Sequence, residues 1–116
     1  MSTTIYHNPR CSKSRQALEL LEAQGADIEV IRYLDTPPDA ATLVELLERL
    51  GLSARELMRK GEDAYKELNL ANPELSEAQL VQAMADYPKL IERPIVIREG
   101  KAVIGRPPER VLELFA

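Results

Sequence analysis

Hydrophobic positions change period several times along the chain, and each change marks an element. Residues 3–6 form a short β-prone run that the Asn8-Pro9 pair interrupts. Ala17, Leu18 and Leu21 then fall on one face of a helical repeat, with Leu20 beside them and Gly25 placed to cap its end. Residues 28–34 are β-branched and largely apolar, the composition of a strand buried in a parallel position. Strand, helix, strand predicts a βαβ unit, whose crossover is right-handed in nearly all folds.

The next stretch is helical throughout. Pro37-Pro38-Asp39 breaks the chain and opens a helix in which Leu43, Leu46, Leu47 and Leu50 follow the i, i+3, i+4, i+7 rule, with Gly51 at its end. Ser53-Ala54-Arg55-Glu56 fits a capping box for a short helix, and residues 64–68 fit one more turn. Ser76-Glu77-Ala78-Gln79 is a second capping box, for a helix that ends before Pro88. Residues 94–98 and 101–104 alternate as two strands, joined by Glu99-Gly100 as a tight hairpin. Pro107-Pro108 starts a last helix with Val111, Leu112 and Phe115 facing inward. The order β-α-β, helical block, β-β-α predicts an α/β fold in which helices flank a four-stranded mixed sheet. This is the thioredoxin-like order, with a helical insertion over about residues 39–90 between the second and third strands. The whole of 1–116 reads as a single domain, without repeats or a linker.

Composition narrows the function. A chain of 116 residues buries roughly two-thirds of its unfolded surface and needs no disulfide or metal to fold. One cysteine and one histidine fall short of the usual zinc ligand sets, so no metal is expected. A lone thiol and an N-terminus without a basic start or apolar run fit a reducing, cytoplasmic setting. No apolar stretch approaches the roughly 20 residues of a membrane span. The net charge of -4 argues against general nucleic-acid binding.

Against that acidic balance, positive charge gathers around the single thiol. In YHNPRCSKSR, Cys11 follows the first strand where the first helix begins, with Arg10, Lys13 and Arg15 nearby. Unpaired N–H groups at a helix start favour a thiolate and lower a cysteine pKa. The neighbouring cations and His7 push the same way, and the same groups attract an oxyanion. His7 either tunes the thiol electrostatically or hydrogen-bonds the loop. Asn8 fixes the turn, and Ser12 and Ser14 are placed to cap the helix or to contact substrate. The motif is C-x-x-S, so no second thiol of this chain can resolve an oxidised Cys11. Any redox cycle needs an external thiol, with glutathione and a glutaredoxin as the obvious donors. A phosphatase-type loop would need an arginine where this chain has Ala17.

The segment IYHNPRCSKSR before a helix resembles the active-site segment of the glutaredoxin-dependent arsenate reductase family. The resemblance continues through YLDTPP, RELMRKGEDAYKELNL, ERPIVI and IGRPPERVLE, in the family's order and over nearly the whole chain. It is strongest with the short bacterial members. It implies a thioredoxin-like fold with a helical insertion, and Cys11 as nucleophile. It also implies that Arg59, Arg93 and Arg106 bind the oxyanion, with His7 near the thiol. The Arg93-Pro94 bond resembles the cis-proline that faces the active-site cysteine in such folds. Taken alone, each arginine also has a plain reading: Arg59 as a charge at a helix end, Arg93 as a solvated residue before a strand, Arg106 as a partner of Glu109. The implied reaction is reduction of arsenate to arsenite through a Cys11–arsenic adduct, with glutathione as co-substrate and no bound cofactor. Two alternatives stand beside it. One is a glutathione-linked thiol oxidoreductase of another substrate. The other is an Spx-like redox regulator binding RNA polymerase, a reading weakened by Ser14 in place of a second cysteine.

Overall fold

The computed structural model describes residues 2–115 and divides into two compact units, Met1–Thr36 with Arg93–Ala116, and Pro37–Glu92. The first unit is built on a four-stranded sheet. Strands β1 (Ser2–His7), β2 (Asp27–Arg32), β3 (Ile95–Arg98) and β4 (Lys101–Ile104) lie in the order β2-β1-β3-β4. The β1–β2 pair is parallel and the β1–β3 and β3–β4 pairs are antiparallel, which is the mixed thioredoxin-like sheet. Helix α1 (Ser12–Ala23) makes the crossover from β1 to β2, and Gly25 behind it takes the left-handed conformation. Ile5, Ala17, Leu21, Val96 and Val111 form the core of this unit, where α1 and the last segment cover the central strands.

Two features depart from the sequence pattern. The second strand is an edge strand, not a buried one, and Val30 is 44% exposed. It ends at Arg32, and Tyr33 and Leu34 belong to the turn after it. Glu29 and Arg32 within the run are the residues that an edge tolerates and a doubly covered strand does not. The closing element, Pro108–Phe115, is a 3-10 helix. Its Val111 is fully buried, and Leu114 and Phe115 pack on the core, while Leu112 is only half-buried. Arg98 fastens this end of the chain: its Nη1 donates to Thr3 Oγ1 at 2.9 Å and its guanidinium lies 4.3 Å from the Phe115 ring centre.

The β3–β4 hairpin turns on Glu99 and Gly100, both with positive φ, the conformation demanded by a two-residue turn that matches strand twist. The bonds Arg93-Pro94 and Arg106-Pro107 are both cis; the family resemblance raised only the first. Gly105 donates its N–H to the Pro94 carbonyl at 2.9 Å. A Cβ at Gly105 would meet Pro94 Cγ at 3.0 Å and Val111 Cγ1 at 3.1 Å. Gly105→Ala is therefore expected to destabilise the protein by about 1–3 kcal/mol through overpacking. Urea unfolding checks this, and an unchanged midpoint would show that the neighbours yield freely.

The second unit is helical: α2 (Ala40–Leu50), α3 (Ala54–Leu57), α4 (Asp63–Glu67), α5 (Glu77–Asp86) and a 3-10 turn at Pro88–Leu90. Its helix starts follow the sequence cues. Asp39 Oδ1 accepts from the Thr42 N–H, and full capping boxes form at Ser53/Glu56 and Ser76/Gln79. Leu43, Leu46 and Leu47 of α2, with Leu80, Val81 and Met84 of α5, are buried where the two helices pack. Arg55 ties the connecting chain down by donating to the Leu70 and Asn72 carbonyls. No helix of the described residues is long and apolar enough to cross a membrane.

Candidate active site

Strand β1 delivers the chain to residues 8–11, where hydrogen bonds set a tight loop. Asn8 Oδ1 accepts from the Arg10 N–H at 3.0 Å, and the Asn8 carbonyl accepts from the Cys11 N–H at 3.0 Å. Arg15 reaches back from the first turn of α1 to the Pro9 carbonyl at 2.9 Å. Ser14 is fully buried and joins the loop from inside: its Oγ accepts from the Asn8 N–H at 3.1 Å and lies 2.6 Å from His7 Nδ1. Either the hydroxyl donates to a bare Nδ1, or a protonated Nδ1 donates to the hydroxyl. Ser14→Ala would leave the Asn8 N–H and His7 Nδ1 without that partner. The expected loss is about 1–3 kcal/mol, the cost of unsatisfied buried groups. Chemical denaturation measures it, and a neutral substitution would mean that the loop closes without the hydroxyl.

This loop makes Cys11 the N-cap of α1. Burial pushes its thiol pKa up, but the Ser14 N–H, the Arg93 charge, the Lys13 N–H and a hydrogen bond from Arg93 together draw it below the ordinary value. The Cys11 side chain makes no N-cap hydrogen bond, and a thiolate, the stronger acceptor, gains most from the N–H groups of the helix start. The cation that acts on Cys11 is thus not one of its sequence neighbours. Arg10 is exposed and Arg15 is turned to Pro9, whereas Arg93, from the loop before β3, is the cation that draws the thiol pKa down.

The histidine has a different place from a cation beside a thiolate. His7 is 6% exposed, and burial, then Arg32 and Arg15, lower its pKa, so the ring is held neutral. Its hydrogen bond to Ser14 makes it part of the loop scaffold. Both shifts have the same linkage sign. A native thiolate and a native neutral imidazole bind fewer protons than the unfolded chain between each folded and unfolded pKa. Their contributions are complete above the unfolded values and disappear as pH falls through the folded ones. Thiolate absorbance should therefore titrate below the roughly 8.5 of a free cysteine. An ordinary value would show that the helix start and Arg93 do not activate Cys11.

Arg106 joins this group, with its Nη1 3.4 Å from the Arg93 carbonyl. Pro94, buried, follows Arg93. Arg59 belongs to the helical unit. There its N–H donates to the Leu90 carbonyl at 2.7 Å, and its guanidinium pairs with Glu62 at 2.5 Å. The structure thus brings Cys11, Arg93, Arg106, His7, Asn8, Ser14 and Pro94 onto one unit. A feature absent from the sequence reading is a pocket of about 300 Å³ lined by His7, Asn8, Pro9, Arg10, Arg32, Leu34 and Asp35.

A single activated thiol at the start of the first helix, on a sheet of this order, defines a thioredoxin-like cysteine protein. The family model described as the ArsC family matches residues 6–114, and the chain belongs to that family. It is 67% identical over 111 residues to the uncharacterized protein YfgD of Escherichia coli strain K12, covering 95% of this chain and 93% of that one. It is 56% identical over 108 residues to the arsenate reductase of Neisseria meningitidis serogroup A, covering 92% of each. The solved structure of the arsenate reductase from Vibrio cholerae superposes with a TM-score of 0.96 at 56% identity, covering 98% of each chain.

Proposed function

We propose that the protein reduces arsenate to arsenite, with Cys11 as nucleophile and with glutathione and a glutaredoxin supplying the electrons. The observation that carries this reading is the Arg93 guanidinium on a thiol already favoured as thiolate by the start of α1. One cation then both ionises the nucleophile and holds the oxyanion that it attacks. Relatives named arsenate reductase at 56% identity fit the same reading.

The Cys11 sulfur bonds to arsenic as one oxygen leaves as water. Arg93 and Arg106 neutralise the remaining oxygens with paired donors, and Arg59 is assigned with them on the family resemblance alone. A glutathione thiol displaces a second oxygen as water. The glutaredoxin thiolate then takes the glutathionyl sulfur, and the electron pair of the broken arsenic–sulfur bond stays on arsenic, now trivalent. Water releases arsenite and restores the thiol. Two thiols become one disulfide while arsenic gains two electrons. An outside thiol is required because Cys11 is the only cysteine of the chain. The reducing cytoplasm is the compartment that supplies it.

The test is arsenate-dependent NADPH oxidation coupled through glutathione, glutaredoxin and glutathione reductase. Turnover that needs all components supports the proposal. A reactive, reduced thiol without turnover would overturn it, and activity on glutathione mixed disulfides would then identify a thiol oxidoreductase of another substrate.

A further inference from the structure

The pocket beside the Cys11 loop has a lining that the arsenate chemistry leaves unused. It lies beyond the carboxyl ends of the two parallel strands, where ligands of α/β sheets commonly bind. His7 and Arg32, the last residues of β1 and β2, are paired in register, so the two strand ends open side by side. The turn after β2 is closed by the Asp35 and Thr36 N–H groups donating to the Arg32 carbonyl at 3.0 and 2.9 Å. Arg32 and Asp35 are therefore held at the two ends of one short turn. Arg10, Arg32 and Asp35 all line the pocket and are exposed, and none enters a side-chain hydrogen bond or ion pair with another described residue. Two positive charges and one negative charge thus line a single cavity beside His7, whose pKa burial lowers.

A simple anion would meet the Asp35 carboxylate and a simple cation the two arginines, so neither matches the lining. A group bearing carboxylate and ammonium on one carbon matches both signs: its carboxylate suits the arginine forks and its ammonium the aspartate. We infer that this pocket holds the γ-glutamyl end of glutathione, with Arg10 and Arg32 taking its α-carboxylate and Asp35 its α-ammonium. The inference rests on the proposed use of glutathione. Residues 7–10 line the pocket and Cys11 follows directly, with adjacent Cα atoms about 3.8 Å apart, so the loop that walls the pocket also carries the reacting sulfur, and a tripeptide is long enough to reach from one to the other.

S-methylglutathione, which cannot react, is the probe, titrated into the protein and followed by backbone amide shifts. Shifts are expected at residues 8–10 and 32–35. Affinity should fall about three- to tenfold in Asp35→Asn and in Arg32→Gln, as for loss of a charge-assisted contact in a part-open site. The N-acetylated probe, lacking the ammonium, should bind the native protein as weakly as S-methylglutathione binds Asp35→Asn, and Asp35→Asn should weaken it no further. Shifts elsewhere, or variants that bind normally, would overturn the assignment. So would free glutamate binding as tightly as the tripeptide, since the pocket would then be an amino-acid site. In the coupled assay, Asp35→Asn should raise the KM for glutathione with kcat retained. Native turnover with no change in that KM overturns the pocket and spares the reductase reading. Absence of native turnover overturns the reductase reading, and the titration still decides the pocket.

Discussion

Cys11→Ser is expected to lower arsenate-dependent turnover by at least about a thousandfold while leaving the fold intact. A serine hydroxyl does not ionise under conditions where an activated thiol does, and the chain has no other cysteine to replace it. The substitution is also a clean one structurally. Cys11 occupies the N-cap of α1 with extended backbone angles, a position where serine is among the preferred residues. The Asn8 carbonyl still receives the N–H of residue 11, and the Ser14 contacts to Asn8 and His7 do not involve the thiol. The fold should therefore survive the substitution, and the part of the pH dependence of stability that comes from the lowered thiol pKa should vanish with the thiol. The coupled assay and a thermal melt read the two expectations together. Residual turnover near the native rate would move the reaction off Cys11, whatever the fate of the fold.

The local chemistry of the chain was legible because it depends on near neighbours. Asp39, Ser53 and Ser76 start helices as their own side chains dictate, and Gly51 and the Glu99-Gly100 turn adopt the positive φ that their positions require. Sheet position was less legible. An apolar run such as residues 28–34 announces a strand, but whether it lies at the edge depends on which strand takes the other side of β1, and that partner is 60 residues and more away. The site divides along the same line. The loop at Cys11 was readable, since Asn8 and Ser14 act within a few residues of it. The cation on the thiol was not readable from spacing: Arg10, Lys13 and Arg15 surround Cys11 in sequence, whereas Arg93 does so in space. Only the family resemblance singled out Arg93. The resemblance runs through Asp35 in YLDTPP but assigned no role to it or to Arg32; the place of both beside His7 comes from the parallel register of β1 and β2 and the turn after β2.

Arg93 is where charge and geometry can be separated, because its two actions on Cys11 respond differently to substitution. Its charge lowers the thiol pKa through space, and a hydrogen bond from its side chain lowers it further. Arg93→Ala removes both, and the thiol titration should move up toward the ordinary value. Arg93→Lys keeps a positive charge on a flexible stem, so the titration should move up less. Turnover should not recover in parallel. A developing arsenate oxyanion needs donors in a planar, paired arrangement at the reacting centre, which an ammonium cannot reproduce. The expected loss in Arg93→Lys is on the order of a hundredfold, comparable to removal of one oxyanion donor elsewhere. Measured side by side, thiolate absorbance and kcat/KM should therefore diverge in the lysine variant and fall together in the alanine variant. If lysine restores both, Arg93 acts only as a point charge on the thiol, and oxyanion binding must be assigned to Arg59 and Arg106. If neither variant changes either quantity, the Arg93–Cys11 contact has no part in the chemistry, and the reductase proposal loses the observation on which it stands.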